Sequence, residues 1–109
     1  MMGTVQRRIA VFGQALARFD EALARPEDPI VRDACIQRFE FTFETAWKTV
    51  QAQAMAEGLN DARWMAMVED RNRTTHAYDE KAAREIYRSL PDYAGMMRRL
   101  LERLTERSR

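Results

Sequence analysis

The chain has 109 residues, of which 46% are hydrophobic and 32% charged, and its 18 basic side chains nearly balance its 17 acidic ones. This length is enough for one domain with its own core and leaves no room for a second, so we expect residues 1–109 to form a single domain. The composition excludes intrinsic disorder, and the apolar runs are too short and too often interrupted by charges to cross a membrane.

Cysteine content and the N-terminus indicate the compartment. Cys35 is the single cysteine, which excludes an internal disulfide and a multi-cysteine metal site. The N-terminus lacks the apolar segment of a secretory signal. We therefore expect a cytoplasmic protein that has no contact with a membrane, and we predict neither a bound metal nor a cofactor.

The first predicted helix runs from about Thr4 to Ala24. Its apolar residues recur at spacings of three and four, which places them on one side of a helix: Val5, Ile9, Phe12, Leu16, Phe19 and Leu23. The helix is expected to stop at Arg25, because a residue that precedes a proline is pushed away from helical geometry.

The second predicted helix begins with Asp28 as its N-cap and Pro29 in its first turn, and it runs to about Glu57, where Gly58 ends it. One side carries most of its large apolar residues: Ile36, Phe39, Phe43, Trp47 and Val50. Phe41 falls outside this stripe. For the aromatic residues of this helix we favour core packing together with an oligomer contact over base stacking.

Helical signals continue to the C-terminus. Asn60 is a candidate cap for a third helix through Trp64 to His76, and Asp79 for a short helix from Glu80 to Ser89. Ser89, Pro91 and Asp92 have the spacing of another helix start, so a last, separate helix should follow. The sequence thus predicts an all-α protein, an up-and-down bundle of four or five helices.

Polar side chains concentrate at the end of the third helix, around the only histidine of the chain: Arg71, Asn72, Arg73, Thr74, Thr75, His76, Tyr78 and Asp79. His76 is therefore the only side chain whose ordinary pKa suits acid–base chemistry near neutral pH. Arg71 and His76 would lie about 140° apart on one unbroken helix. Either the helix breaks between them, which Thr74 and Thr75 would permit, or two copies of the chain meet and share a site.

Two blocks of this sequence resemble the family of nucleotidyltransferase substrate-binding proteins, which are small helical bundles of the HEPN superfamily. The first block is IQRFEFTFE followed by AWKT (Ile36–Glu44 and Ala46–Thr49), and the second is EDRN (Glu69–Asn72) leading through His76 to YDE (Tyr78–Glu80). Members typically carry more residues after the second helix than the short connection from Gly58 to Arg63, which resembles a deletion.

The resemblance implies a function for the polar segment. Arg71, Asn72 and His76 match the superfamily signature, whose ribonuclease members cleave RNA without a metal, and Arg73 and Thr75 are expected to contact the substrate. Family members resemble the toxin half of gene pairs in which a minimal nucleotidyltransferase is the other half. In such pairs a tyrosine two positions after the histidine accepts AMP, and Tyr78 stands there.

Two functions remain open from the sequence. In the first, a homodimer is a metal-independent endoribonuclease that AMP transfer to Tyr78 silences. In the second, the protein is a non-catalytic substrate-binding subunit of a nucleotidyltransferase complex, and Arg71, Asn72 and His76 form a polar network at an interface. The intact arginine, polar residue and histidine favour the first function.

Overall fold

The described part of the chain folds into four α-helices in a computed structural model. The structure describes residues 3–53, 62–76 and 79–108, without the side chains of Thr75 and His76. The helices are α1 (Thr4–Leu23), α2 (Pro29–Ala52), α3 (Ala62–His76) and α4 (Glu80–Arg107). The prediction of an all-α bundle is confirmed. No helix of the described ranges is long and apolar enough to cross a membrane.

Three helices build most of the core. Helix α1 packs against α2 and α4, which also pack against each other, while α3 packs more sparsely against α2 and α4. The buried interior is apolar and contains large side chains from all four helices, among them Phe12, Phe19, Phe39, Met67, Ile86 and Leu104. Cys35 is fully buried there, and burial raises the pKa of its thiol, which disfavours the reactive thiolate.

Side chains of α2 fasten it to the backbone of α1. The Arg38 guanidinium donates to the carbonyl of Arg18 (2.7 Å). The hydroxyls of Thr49 and Thr42 lie 3.2 Å from the carbonyl oxygens of Arg8 and Ala15 on α1. Each hydroxyl shares its proton with a closer carbonyl of α2, that of Thr45 (2.8 Å) or Arg38 (2.7 Å). Residue numbers fall along α2 as they rise along α1 in the three pairs that join these helices, so the two helices are antiparallel. Thr42 and Thr49 are fully buried, and side chains of this size let the two helices approach closely.

Of the predicted helix starts that lie in the described residues, Asp28 and Asp79 are confirmed as caps, whereas the start at Ser89 is wrong. The side chain of Asp28 accepts a hydrogen bond from the backbone N–H of Val31 (2.8 Å), and that of Asp79 from the N–H of Ala82 (2.7 Å). Each bond satisfies an amide that has no partner within its own helix. Helix α2 ends at Ala52, not at Glu57 as predicted. The predicted cap Asn60 and the stop at Gly58 lie outside the described residues.

The prediction of a separate short helix from Glu80 to Ser89 is wrong, because α4 continues through Pro91. Buried residues follow one another at alternating spacings of three and four on both sides of the proline: Ala83, Ile86, Leu90, Tyr93, Met97, Leu100 and Leu104. A proline inside a helix costs about 3 kcal/mol. Burying each large apolar side chain gains about 1.5–3 kcal/mol. The gain from keeping all of these side chains on the buried side of one helix therefore exceeds the cost of Pro91, whose own ring is exposed.

The α1–α2 contact yields a stability prediction at Thr42. Thr42→Val keeps the shape and loses the hydroxyl, and it should lower the free energy of unfolding by about 1 kcal/mol. Thr42→Leu also forces the helices apart and should cost about 1–3 kcal/mol more. Urea unfolding followed by circular dichroism measures both. Thr105→Val is the control, because the Thr105 hydroxyl bonds to Leu101 within α4; equal costs for Thr42→Val and Thr42→Leu would contradict a tight helix contact.

Candidate functional site

Helix α3 carries the predicted site residues on an unbroken helix. It runs from Ala62 to His76 without interruption, so a helix break between Arg71 and His76, one of the two alternatives left open by the sequence, is wrong. The two residues therefore stand about 140° apart around one axis. Trp64 and Met67 near the start of α3 are buried and hold the helix against the core. The same helix continues without a break through the polar segment.

Arg71 lies at the surface between α2 and α3. Its Nη2 atom is 3.5 Å from Oε2 of Glu44 on α2, and its Nη1 donates to Oδ1 of Asn72 at 3.4 Å. Both distances are long for charged hydrogen bonds, and the side chains of Arg71 and Glu44 are 33% and 52% exposed. A pair of this kind contributes little to stability. The guanidinium is thus held in place weakly enough for an anionic ligand to compete for it.

A pocket of about 600 Å³ adjoins Arg71. We call it the α2–α3 pocket. Its apolar wall consists of Phe43, Trp47, Trp64, Met65 and Val68, and its polar groups are those of Glu44, Lys48, Gln51, Arg71 and Asn72. The volume is typical of small-molecule sites, as is a mostly apolar wall with a few polar groups.

A second polar group anchors α3 to α4. Asp70 accepts a hydrogen bond from the Tyr93 hydroxyl (2.6 Å) and one from Arg73 (3.2 Å), and Arg73 also donates to Glu85 (2.9 Å). Burial, then the bond to Asp70, raises the pKa of Tyr93, and the bond to Glu85 is the largest of several effects that raise the pKa of Arg73. These bonds tie the residues on either side of Arg71 and Asn72 to the body of the bundle.

The structure brings together some predicted site residues and separates others. Arg71 and Asn72 line the α2–α3 pocket, whereas the guanidinium of Arg73 contacts the carboxylates of Asp70 and Glu85. Thr75 and His76 occupy the last turn of α3, and their side chains are not described. Tyr78 lies outside the described residues. Among the residues that are described, no cluster of three or more histidine, cysteine or acidic side chains is arranged to hold a metal ion.

Sequence reasoning missed the contribution of α2 to this site. Trp47 was assigned to the core stripe, but it is 39% exposed and lines the α2–α3 pocket together with Glu44, Lys48 and Gln51. These four residues are spaced three and four apart, so they share one side of α2. A stripe that mixes a tryptophan with charged and amide side chains is the signal that could have revealed this wall.

Comparison with known proteins identifies the family. Residues 7–63 and 59–106 match the family described as nucleotidyltransferase substrate binding protein like. The chain belongs to this family. The two matched segments overlap at residues 59–63, within the short connection from Gly58 to Arg63.

Two individual proteins are similar to most of the chain. A probable ribonuclease HepT from Haemophilus influenzae is 25% identical over 114 residues, an alignment that covers 83% of this chain and 77% of the relative. A crystal structure of a protein from Thermus thermophilus superimposes with a TM-score of 0.75 at 38% identity. That alignment covers 85% of this chain and 98% of the other.

The Tyr93–Asp70 bond predicts a pH dependence of stability. The raised pKa of Tyr93 means that the folded protein keeps the phenol protonated after the unfolded chain begins to lose its proton near pH 10. The stability that the protonated Tyr93 phenol contributes is therefore fully present below pH 10 and is lost as the pH rises above it. Between pH 8 and pH 11 the wild type should lose about 1.4 kcal/mol more unfolding free energy than Tyr93→Phe, measured by urea unfolding; parallel losses in the two proteins would contradict the assignment.

Proposed function

We propose that this protein is a metal-independent endoribonuclease that acts as a homodimer, with Arg71, Asn72 and His76 in its active site. The position of Arg71 carries the proposal. Its guanidinium stands at the edge of the α2–α3 pocket, is one-third exposed, and makes long contacts to Glu44 and Asn72. The name of the Haemophilus influenzae relative, a probable ribonuclease, supports the same reaction.

The proposed reaction is transfer of a phosphate ester within RNA. The 2′-oxygen of a ribose forms a bond to the adjacent phosphorus while the bond from phosphorus to the 5′-oxygen of the next nucleotide breaks. One proton leaves the 2′-hydroxyl and one is gained by the leaving 5′-oxygen. His76 takes up the first or supplies the second, and water exchanges the other. Arg71 stabilises the negative charge that develops on the phosphate oxygens. The products are a cyclic 2′,3′-phosphate and a free 5′-hydroxyl.

The unbroken α3 supports a site formed by two chains. Arg71 and His76 lie on different sides of one straight helix, whereas a two-fold axis beside α3 would bring Arg71 of each protomer towards His76 of the other. Asn72 precedes His76 by four positions and so shares its side of the helix. Arg73 and Thr75 remain predicted substrate contacts; in the free protein Arg73 is engaged by Asp70 and Glu85.

We also propose that a separate minimal nucleotidyltransferase regulates the ribonuclease by transferring AMP to Tyr78. The family description, with its reference to a nucleotidyltransferase, supports this class of partner. The added phosphate and nucleoside would stand two positions from His76. Bulk and negative charge at that place would exclude the RNA backbone.

Loss of either Arg71 or His76 should abolish cleavage. Arg71→Ala and His76→Ala should each lower the cleavage rate of tRNA or mRNA by at least about 100-fold in a buffer containing a chelator. Gel analysis of end-labelled RNA measures the rate. Arg84→Ala is the matched control and should cleave normally, because Arg84 pairs with Glu80 on the exposed side of α4. A wild type that cleaves nothing would favour the non-catalytic subunit instead.

Mixing the two inactive variants tests the shared site. A mixed dimer of Arg71→Ala and His76→Ala contains one complete site if Arg71 and His76 come from different chains, and none if they come from the same chain. After refolding together, the mixture should regain about one quarter of wild-type activity, since half of the dimers are mixed and each has one working site of two. Sedimentation must show a species heavier than the 12.8 kDa monomer; an inactive mixture of stable dimers would disprove sharing.

Modification of Tyr78 has a direct test by mass spectrometry. The protein, incubated with the partner nucleotidyltransferase, ATP and Mg²⁺, should gain the mass of one AMP and lose ribonuclease activity. Tyr78→Phe should gain no mass and stay active. Tyr87→Phe is the control tyrosine variant and should be modified normally. A mass gain that persists in Tyr78→Phe would place the modification on another residue.

A further inference from the structure

Trp47 exposes a large aromatic surface to the α2–α3 pocket. Its side chain is 39% exposed and that of Met65 48%, whereas most other large apolar side chains in the described ranges are buried. Leaving this surface in water has a cost of about 25 cal/mol for each Å². An apolar surface inside a concave pocket is typical of a ligand site rather than of an ordinary exposed face.

The apolar wall around Trp47 rests on aromatic rings that pack against the core. The ring of Phe43 packs against that of the buried Trp64, with 5.6 Å between their centroids, and Phe43 in turn packs against Phe39 in the core. These ring contacts hold Phe43 and Trp64, so this part of the apolar wall is formed before a ligand binds. A preformed wall lowers the entropy cost of binding a flat ligand.

Charges in the pocket define the ligand further. Among the lining residues that the structure describes, there are two cations, Arg71 and Lys48, and one carboxylate, Glu44. The contact from Glu44 to Arg71 is long at 3.5 Å. The excess of positive charge suits an anion, and a guanidinium suits a phosphate in particular. The side-chain amides of Gln51 and Asn72 line the same pocket and can pair with the edge of a heterocyclic base.

We propose that the α2–α3 pocket is a nucleotide subsite in which a nucleobase stacks on Trp47 while its phosphate binds Arg71. This proposal rests on the proposed function, because it places the base of one RNA nucleotide next to the phosphate that is cleaved. The flat aromatic wall takes the base, and the cations take the phosphate. Since every base has an aromatic face, the subsite should accept all four bases with small differences.

The pocket chemistry is shared by a nucleotide within RNA and a free mononucleotide, and binding experiments distinguish the two. The probes are a short, uncleavable 2′-O-methyl RNA, AMP and CMP, and ribose 5-phosphate, which has no base. We expect the RNA and both mononucleotides to quench tryptophan fluorescence, and ribose 5-phosphate to leave it unchanged. Binding of RNA alone would assign the subsite to a nucleotide within a strand.

Substitution of Trp47 measures the stacking. Trp47→Leu keeps an apolar side chain without the aromatic face, and the dissociation constant of the RNA should rise about 5- to 150-fold. Trp47→Phe should restore part of the affinity. Phe41→Leu is the matched control, because Phe41 is 60% exposed on the same helix but lines a different groove with Val11. Its affinity should stay within about twofold of the wild type.

Three outcomes would overturn the proposal. Equal RNA affinity in Trp47→Leu and Phe41→Leu would show that no base stacks on Trp47. Quenching by ribose 5-phosphate equal to that by AMP would show that the base is not recognised. A change in dimer dissociation, measured by sedimentation, without a change in RNA affinity would assign Trp47 to contact with a second copy of the chain.

Failure of this subsite and failure of the ribonuclease give different results. If the wild type cleaves RNA and Trp47→Leu cleaves it with an unchanged KM, the ribonuclease activity is supported and the nucleotide subsite at Trp47 is contradicted. If nothing is cleaved but AMP quenches the tryptophan fluorescence of the wild type and not that of Trp47→Leu, the subsite is supported and the ribonuclease is not. Arg84→Ala, a change on the exposed side of α4, should bind the uncleavable RNA with wild-type affinity.

Discussion

The fold depends on the packing of α1 against α2, the most extensive contact between two helices in the described part of the chain. Arg38 donates to the carbonyl of Arg18, and the hydroxyls of Thr42 and Thr49 face the carbonyls of Ala15 and Arg8, so polar contacts supplement this packing along its length. Helix α4 then packs against both helices with its long buried stripe. The opposite side of α2 carries Glu44, Trp47 and Lys48, and the position of this wall of the pocket follows from the contact with α1.

The second wall of the pocket is held differently. Helix α3 packs more sparsely than the other three, and polar bonds supplement its apolar contacts: Asp70 to Tyr93 and Arg73 to Glu85. These bonds engage Asp70 and Arg73, three positions apart on one side of α3, and leave Arg71 directed towards α2. The segment from Asp70 to Arg73 thus both attaches α3 to α4 and lines the pocket, since neighbouring residues on a helix point in different directions.

Much of the fold could be predicted from the sequence, because helix signals are local. The stripes at spacings of three and four, Asp28 and Asp79 as caps, and Pro29 in a first turn all act within a few residues. Continuity of α4 through Pro91 could not be predicted this way, since packing of residues on both sides of the proline decides it. The same holds for the candidate site. The polar segment pointed to Arg71 and Asn72, which line the α2–α3 pocket, whereas Trp47 required knowledge of which side of α2 the core leaves uncovered.

The sparse packing of α3 has a consequence for local motion. Segments with few buried contacts open at a lower free energy than the global unfolding transition, and they do so as a unit. Because α1, α2 and α4 share most of the core, we expect local opening of the bundle to begin at α3. The polar segment from Arg71 to His76 therefore lies on the helix that has the fewest contacts to lose.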